Sequence, residues 1–298
     1  MEDFVKYVHP GPEDKAWGLY LNCAGTARIP AGSSYPPESH PSAYFFDYEN
    51  GRYLSEYQVN YITEGSGEYE NKNLKKRVLP GTLVMTRPGQ WHRYRPGFRT
   101  GWREHYVGFA GPLAQHLFAQ TLFAQLGPVL EIGKREEIID SYDKIFTYVR
   151  EEKPGYQQVA AGMVVKLLGY IVSIEKQKGF SGKPVERTIQ HACFRMREGV
   201  ARPLDFEAFA KENNIGYSYF RKMFKKYTGV SPGQYHLEMK ILRAKELLLN
   251  SGMSIKEIAY SLGFQSIYYF SRVFKQKQGR APSEFRKMPV SPEGDDVL

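Results

Sequence analysis

The chain has 298 residues, of which 42% are hydrophobic and 24% are charged. This length and balance are typical of a globular protein with two domains and leave enough apolar side chains for a core in each. The charge is distributed unevenly: residues 1–182 hold 21 Lys and Arg against 20 Asp and Glu, whereas residues 183–287 hold 20 against 9. A basic C-terminal part indicates a polyanionic partner, and on charge alone nucleic acid and a merely solvated basic surface are equal alternatives.

Several classes of protein are disfavoured by what the chain lacks. Its two cysteines, Cys23 and Cys193, lie far apart and predict neither a disulfide framework nor a zinc site. The N-terminus is polar and acidic, without the apolar segment of a signal peptide. The most apolar helical stretch, residues 159–174, contains Lys166 and small residues and is predicted to be too short to span a bilayer. We therefore expect a cytoplasmic protein without membrane contact and without a cofactor.

The first 110 residues are rich in Tyr, Phe, Gly and Pro, and short alternating runs lie between turn signals. The runs are residues 43–47, 56–62, 67–70, 82–86 and 105–109. Closely spaced short strands of this kind predict an antiparallel β sandwich or barrel.

The pattern becomes helical after Pro112, with predicted helices at 112–125, 134–152 and 156–176. The third helix carries a stripe at steps of three and four residues, which indicates either core or a seam for self-association. The stripe consists of Val159, Met163, Lys166, Leu167, Tyr170 and Ile174. Residues 179–184 are the predicted linker to a helical region at 185–287, and residues 288–298 are predicted to be a frayed tail.

The helical region repeats itself after fifty residues. Residues 217–235 read YSYFRKMFKKYTGVSPGQY, and residues 267–285 read IYYFSRVFKQKQGRAPSEF. Each copy follows a shorter amphipathic helix and a turn that contains glycine, which predicts two helix-turn-helix units. Ser218 and Ser266 lie near the start of the second helix of each unit and are predicted to cap it.

Within each copy, the Phe residues recur four apart and are predicted to face inward, while the positions between them face outward. The outward positions are Ser218, Tyr219, Arg221 and Lys222 in the first copy, and Ile267, Tyr268, Ser271 and Arg272 in the second. Arg and Lys can donate to guanine O6 and N7 in the major groove. Any one of these is by itself more often an ordinary exposed residue, but the duplication favours DNA reading. The helix-forming stretch 232–249 is about 27 Å long, close to the roughly 34 Å of one DNA turn.

Residues 185–287 resemble the AraC/XylS family of bacterial regulators. The resemblance rests on Lys240, Ile241 and Ala244, then Ile258, Ala259, Gly263, Phe264, Tyr269, Phe270, Phe274, Lys275, Gly279, Ala281 and Pro282. It implies base contacts from Ser218, Arg221, Lys222, Ile267, Tyr268 and Arg272, and we expect phosphate contacts from Lys225, Lys226 and Lys275. The family often has small polar residues where this chain has Ile267 and Tyr268, so thymine-methyl contact is the alternative to hydrogen bonding there.

The N-terminal part, at about residues 15–110, is similar to the cupin-type sensor domain of the same family. Metal-dependent cupin enzymes carry a His-x-His motif followed by Glu, but the matching strand at 56–62 has no histidine. Pro88 and Gly89 with His92 are a partial echo of the second cupin motif, and one histidine makes no three-ligand site. No metal site is predicted, and His92 is interpreted as structural or hydrogen-bonding.

What remains is an aromatic and polar lining suited to a sugar, whose C–H faces stack on rings and whose hydroxyls bind polar groups. The predicted effector site comprises Arg52, Trp91, His92, Tyr94, Glu104 and Tyr106, with Tyr44, Tyr57 and Trp102 also in the lining. Alignment with sugar-sensing members implies pocket positions for Tyr94, Glu104 and Tyr106. The alternative is that these aromatics fill the core of a small barrel.

The sequence therefore predicts a two-domain transcription regulator. A cupin-like antiparallel β barrel (1–110) is followed by a helical region for dimerisation (111–178) and an all-α domain with two helix-turn-helix units joined by a long helix. The expected partners are double-stranded DNA, a small-molecule effector that we expect to be a sugar, RNA polymerase and a second copy of the chain. Two alternatives are a ligand-independent regulator whose barrel is a scaffold or docking module, and a cupin enzyme fused to a DNA-binding tail.

Overall fold

A computed structural model describes residues 2–36 and 47–287. The chain divides into two compact units, Met1–Lys178 and Gly179–Leu298. The predicted strand at 43–47, apart from its last residue, lies outside the described residues, as do Tyr44 and the predicted tail at 288–298.

The N-terminal unit forms the antiparallel barrel that its strand pattern predicts. Its described strands are β1 (Phe4–Tyr7), β2 (Tyr20–Ile29), β3 (Tyr57–Gly65), β4 (Gly67–Asn71), β5 (Leu74–Val78), β6 (Thr82–Thr86), β7 (His92–Pro96), β8 (Trp102–Ala110) and β9 (Val129–Glu131). They form a six-stranded sheet in the order β1-β2-β8-β3-β6-β9 and a three-stranded sheet in the order β5-β4-β7. All the pairings between these strands are antiparallel.

The two sheets pack face to face. Trp102 and Ile62 of the larger sheet share a buried cluster with Tyr69 and Tyr94 of the smaller one. The Tyr94 and Trp102 rings are 6.0 Å apart. The space between the sheets is the interior of the barrel.

The opposite face of the larger sheet is covered by helices. The described helices of this unit are α1 (Pro12–Ala16), α2 (Pro112–Ala119), α3 (Thr121–Ala124), α4 (Glu136–Glu151) and α5 (Tyr156–Gln177). Val59 and Tyr61 of β3 lie in one apolar cluster with Tyr142 of α4, and the Tyr142 hydroxyl donates to the Val59 carbonyl oxygen at 2.8 Å. Because side chains alternate along a strand, Gln58 and Asn60 point to the other face, into the barrel.

Three sequence-based predictions for this unit need correction. The predicted helix 112–125 is two helices, because the backbone at Gln120 is extended. Residues 129–131, which lie in the region predicted to be helical, add strand β9 to the larger sheet by pairing with β6. Strands β1, β2, β5 and β7 were not predicted. In β2, Asn22, Gly25 and Thr26 interrupt the hydrophobic alternation.

The apolar stripe predicted on α5 is only partly core. Leu167 and Ile174 are buried, but Val159 is 43% exposed, and the buried face instead runs through Ala160 and Val164. Helix α5 has 22 residues and is long and apolar enough to cross a membrane, so the prediction that this stretch is too short for a bilayer was wrong. A core helix of a globular protein passes the same test, and the buried side of α5 packs into the barrel unit.

The C-terminal unit is helical. Its described helices are α6 (Pro184–Glu198), α7 (Phe206–Glu212), α8 (Tyr217–Thr228), α9 (Pro232–Asn250), α10 (Ile255–Ser261), α11 (Ile267–Gln278) and α12 (Pro282–Arg286). Phe180, which lies within the predicted linker, is buried in this unit, and its ring contacts Tyr227 at 5.1 Å. That part of the predicted linker therefore belongs to the packed helical unit.

Each helix-turn-helix unit has its own core of phenylalanine rings. Phe220 and Phe224 of α8 pack with Phe209 of α7. Phe270 and Phe274 of α11 pack in a second cluster that includes Ile258 of α10. The inward orientation predicted for these rings is confirmed, since all four rings of α8 and α11 are fully buried.

One buried glutamine joins α5 to the irregular part of β2. Gln157 Oε1 accepts from the Leu21 backbone N–H at 3.0 Å, and Gln157 Nε2 donates to the Leu21 carbonyl oxygen at 3.2 Å. The register of β2 against β8 shifts between Leu21 and Cys23. The glutamine therefore provides hydrogen-bond partners for both backbone groups of Leu21, which lies beside the β-bulge and beyond the residues of β2 that pair with β1.

We expect Gln157→Leu to lower the free energy of unfolding by about 2–4 kcal/mol, because two buried backbone groups lose their partners. The three tryptophans of the chain, Trp17, Trp91 and Trp102, are all in the N-terminal unit, so denaturation followed by tryptophan fluorescence measures this unit. The exposed Gln177→Leu on the same helix is the matched control and should change little. Equal stability of the two variants would contradict the role assigned to Gln157.

Candidate functional site

The two outward helices, α8 and α11, start in different ways. Ser266 is the N-cap of α11, and its hydroxyl accepts from the backbone N–H groups of Tyr268 and Tyr269. The N-cap of α8 is Gly216, which offers no side chain. The predicted capping by Ser266 is confirmed and that by Ser218 was wrong, because the fifty-residue repeat places Gly216, not Ser218, opposite Ser266.

Both helices present cations on their solvent side. The exposed residues among the predicted contacts are Ser218, Tyr219, Arg221, Lys222, Lys225 and Lys226 on α8, and Tyr268, Arg272 and Lys275 on α11, while Ile267 is half-buried. Neither helix contains an acidic residue. The guanidinium of Arg272 lies 5.6 Å from the centre of the Tyr269 ring, a cation–π contact that limits its rotamers. Two basic, acid-free helix faces suit the phosphates and guanine edges of a duplex.

A second candidate site lies inside the barrel, where the inner face of the larger sheet is polar. The pairing of β3 with β8 sets Asn60 beside Tyr106 and Ile62 beside Glu104, and Gly25 of β2 lies opposite Tyr106. A Cβ atom at Gly25 would fall 2.6 Å from the Tyr106 hydroxyl oxygen, so only glycine leaves room for this tyrosine.

Arg52 connects the two sheets across this interior. Its Nε atom lies 3.4 Å from His92 Nε2, and its terminal nitrogen donates to Gln58 Oε1 at 3.4 Å and to the Tyr94 hydroxyl at 2.5 Å. Asn60 Nδ2 also donates to the Tyr94 hydroxyl, at 3.3 Å. The sequence thus brings a cation, two amides, an imidazole and a phenol into one hydrogen-bonded network.

Several buried polar atoms at this interior have no hydrogen-bond partner among the described residues. They are Glu104 Oε2, Asn60 Oδ1, Thr86 Oγ1 and Trp102 Nε1. Burial raises the pKa of Glu104 to about 7, and the positive charge of Arg52 partly offsets this. Buried acceptors and donors without partners cost free energy, which a bound polar molecule would recover.

The histidine of the cluster is held neutral. Its Nδ1 lies 3.0 Å from the Gln90 carbonyl oxygen and its Nε2 faces Arg52. Burial lowers the pKa of His92 to about 4, and the adjacent guanidinium adds to this. Residues 2–36 and 47–287 contain no group of three His, Cys, Asp or Glu side chains that could hold a metal ion.

Five of the six predicted effector residues meet inside the barrel or at its wall, but Trp91 does not. Arg93 stacks on the Trp91 ring at 5.7 Å and pairs with Glu70 at 3.0 Å, which places Trp91 on the outer side of β7, away from His92 and Tyr94. Tyr57 also faces away from the interior, since its ring packs 4.3 Å from Phe118 of α2.

Sequence reasoning missed Gln58 and Asn60. Both are buried on β3 although every other buried residue from Val59 to Ile62 is apolar. Polar residues at alternate positions of an otherwise apolar strand are the signal that could have found them, since they indicate a strand with one polar buried face.

Both units of the chain resemble domains of known proteins. Residues 28–142 match the family model of the AraC-like ligand binding domain, and residues 209–288 match that of a helix-turn-helix domain. The Msm operon regulatory protein of Streptococcus mutans is 25% identical over 238 residues, which are 78% of this chain and 84% of that protein. The arabinose operon regulatory protein of Salmonella typhimurium is 25% identical over 236 residues, or 77% and 83% of the two chains.

Two further similarities concern a lactose regulator and a solved structure. The lactose operon transcription activator of Staphylococcus xylosus is 23% identical over 232 residues, which cover 76% of this chain and 82% of that protein. The crystal structure of an AraC-type transcriptional regulator from Chromobacterium violaceum is 27% identical, covers 36% of this chain and 96% of its own, and has a TM-score of 0.34.

The barrel and the paired helix-turn-helix units define a transcriptional regulator that joins a ligand-binding domain to a DNA-binding domain. The two parts of the chain match an AraC-like ligand-binding domain and a helix-turn-helix domain, the pair of domains found in AraC-type regulators.

The buried carboxyl group of Glu104 makes the stability of the barrel depend on pH. A raised pKa means that the folded state holds a proton that the unfolded state releases, so this stabilisation is complete below about pH 4.5 and is lost as the pH rises towards 7. Glu104→Gln cannot ionise. We therefore expect its free energy of unfolding, relative to that of the parent chain, to rise by about 3 kcal/mol between pH 5 and pH 8. Tryptophan-monitored denaturation at several pH values measures this difference. A difference that does not change with pH would show that Glu104 ionises normally.

Proposed function

We propose that the effector is a carbohydrate bound inside the barrel by Arg52, His92, Tyr94, Glu104 and Tyr106, with Asn60. The observation that carries the proposal is the set of buried polar atoms without partners at this interior, including acceptors on Glu104 and Asn60 and the Trp102 indole donor. Sugar hydroxyls supply donors and acceptors together, and the Tyr94 and Trp102 rings offer apolar faces for the C–H groups. Relatives named for arabinose and lactose operons support this class of effector.

Effector binding then shifts the population between arrangements of the regulator, because the sugar binds one arrangement more tightly. In the favoured arrangement α8 and α11 enter successive major grooves. Base edges are contacted by Ser218, Tyr219, Arg221, Lys222, Ile267, Tyr268 and Arg272, and phosphates by Lys225, Lys226 and Lys275. The regulator is an activator that works with RNA polymerase in the cytoplasm.

A second copy of the chain is the proposed partner of the N-terminal helices. On α5, Val159 and Val165 are 43% and 38% exposed. Gly162 and Gly169 lie on the same helix, and a Cβ atom at either would meet nothing within 4 Å. Glycine in a helix interior costs about 1 kcal/mol, and close approach of a second helix is a reason for it. A dimer through α4 and α5 would pair two DNA-binding domains on a repeated site.

The effector proposal is tested by calorimetry of the full chain with a panel of monosaccharides and disaccharides. We expect one sugar class to bind, and Asn60→Ala to weaken that binding about ten-fold through one lost hydrogen bond. Glu131→Gln, an exposed carboxylate paired with Lys76 on the sheet edge, is the control and should bind as the parent does. Absence of binding by every sugar would favour the scaffold alternative. Stoichiometric bound iron, nickel or manganese would favour a cupin enzyme.

The DNA-contact assignments are tested with a duplex selected from random sequences. Arg272→Ala should cost about 1–3 kcal/mol and relax preference at one base position, whereas Lys275→Ala should weaken all sequences alike and reduce the salt dependence. Lys176→Ala, an exposed lysine of the N-terminal unit, is the matched control. Unchanged specific binding by Arg272→Ala would show that α11 does not read the groove as assigned.

A further inference from the structure

The two recognition helices differ most in their first turn. The fifty-residue offset pairs Tyr217 with Ile267 and Ser218 with Tyr268. At the second position, α8 therefore has a small hydroxyl and α11 a large ring. Tyr268 is 85% exposed, more than any other large hydrophobic residue that the structure describes.

Nothing in the described part of the chain accounts for this ring. The Tyr268 side chain forms no hydrogen bond and no ring contact with residues 2–36 or 47–287, whereas the adjacent Tyr269 packs against Phe264 at 6.1 Å. The backbone beneath Tyr268 is fixed, because its N–H donates to the Ser266 hydroxyl at 3.2 Å. A rigid helix start thus projects an apolar surface into solvent, beside the half-buried Ile267.

The major groove offers one apolar group on its base edges, the C5-methyl group of thymine. The side of α11 that carries Tyr268 also carries Arg272 and Lys275 and no acidic residue, so its charge suits a duplex. Arg272 lies one helical turn beyond Tyr268 and is held over the Tyr269 ring. On α8 the corresponding surface is polar, with Ser218, Arg221 and Lys222.

We propose that Tyr268, supported by Ile267, determines specificity by contacting thymine methyl groups, so that the half-site of α11 is read partly by apolar contact and that of α8 by hydrogen bonds. This inference rests on the proposed placement of both helices in the major groove. The competing role for Tyr268 is a hydrogen bond from its phenol hydroxyl to a phosphate oxygen, which would carry no information about methyl groups.

Deoxyuridine differs from thymidine only by the missing methyl group and is the probe. A duplex selected by the full chain is footprinted to locate both half-sites, each thymine is replaced singly by deoxyuridine, and dissociation constants are measured at one fixed salt concentration. Burial of one methyl group is worth about 0.8 kcal/mol, so we expect about four-fold weaker binding at one or two thymines of the α11 half-site. Replacements in the α8 half-site should have no effect.

Two variants assign that loss to the ring. Tyr268→Ala should bind the thymine duplex more weakly and no longer distinguish it from the deoxyuridine duplex. Tyr268→Phe, which keeps the ring and removes the hydroxyl, should retain the four-fold discrimination. Ser218→Ala removes a proposed base contact of α8, so it should weaken binding overall but retain the four-fold discrimination in the α11 half-site. We expect both Tyr268 variants to fold as the parent chain does, because Tyr268 is exposed and its replacement leaves the buried Phe270 and Phe274 rings in place.

The possible results distinguish a failure of methyl reading by Tyr268 from a failure of the proposed placement of α8 and α11 in the major groove. Specific binding that is indifferent to every deoxyuridine replacement would overturn the methyl-reading role alone. Discrimination that survives in Tyr268→Ala, or is lost in Tyr268→Phe, would overturn the assignment to the Tyr268 ring. Failure of the chain to select any sequence would overturn the placement of α8 and α11 in the groove, and this inference with it.

Discussion

The guanidinium of Arg52 sets the character of the barrel interior. A cation between two sheets is tolerated only where polar groups replace its water, and here a histidine, a glutamine and a tyrosine do so. These partners come from both sheets, so the smaller sheet is joined to the larger one by hydrogen bonds as well as by the Tyr94 and Trp102 rings. An apolar interior of the same shape would avoid the cost of buried polar atoms without partners, but it would have nothing with which to recognise a polar molecule.

The larger sheet separates stability from recognition by using its two faces differently. Val59, Tyr61 and Val107 bury an apolar face against the helices, while Asn60, Glu104 and Tyr106 on the same strands face the interior. The first face contributes the free energy that allows the second to keep unpaired polar atoms. Gln157 reinforces this division, because it satisfies the backbone at the β2 bulge from the helical side and leaves the inner face free.

Much of the C-terminal unit could be predicted from the sequence, because the repeat shows the residue pattern of one helix-turn-helix unit at two places in the chain. The Phe spacing placed the inward faces of α8 and α11. The repeat also exposes the error at Ser218: its structural partner is Tyr268, and the capping position belongs to Gly216. Serine favours N-cap positions, but Ser218 lies two residues beyond the position that caps α8.

The barrel was less predictable, because its strands do not follow the simple alternation of apolar and polar residues. Strands β2 and β3 are buried on both faces, so burial does not track polarity, and Gln58 and Asn60 escaped notice. Trp91 was grouped with His92 and Tyr94 by composition, although a strand turns neighbouring residues to opposite sides. Strand β9 joins the sheet by pairing across more than forty residues, a constraint that no local pattern contains.

The long helix α9 limits how an effector can control DNA reading. Tyr235 and Met239, near its start, pack against the core of the first helix-turn-helix unit, whereas Ile241, Ala244 and Leu248 are buried in that of the second. Because one continuous helix contributes to both cores, it fixes the distance between α8 and α11. An ion pair at 3.1 Å between Lys277 of α11 and Glu238 of α9 adds a further contact between these helices. Altering that spacing would require breaking a packed core. The proposed effector would therefore leave the spacing of α8 and α11 unchanged and act on how this fixed pair is presented to DNA.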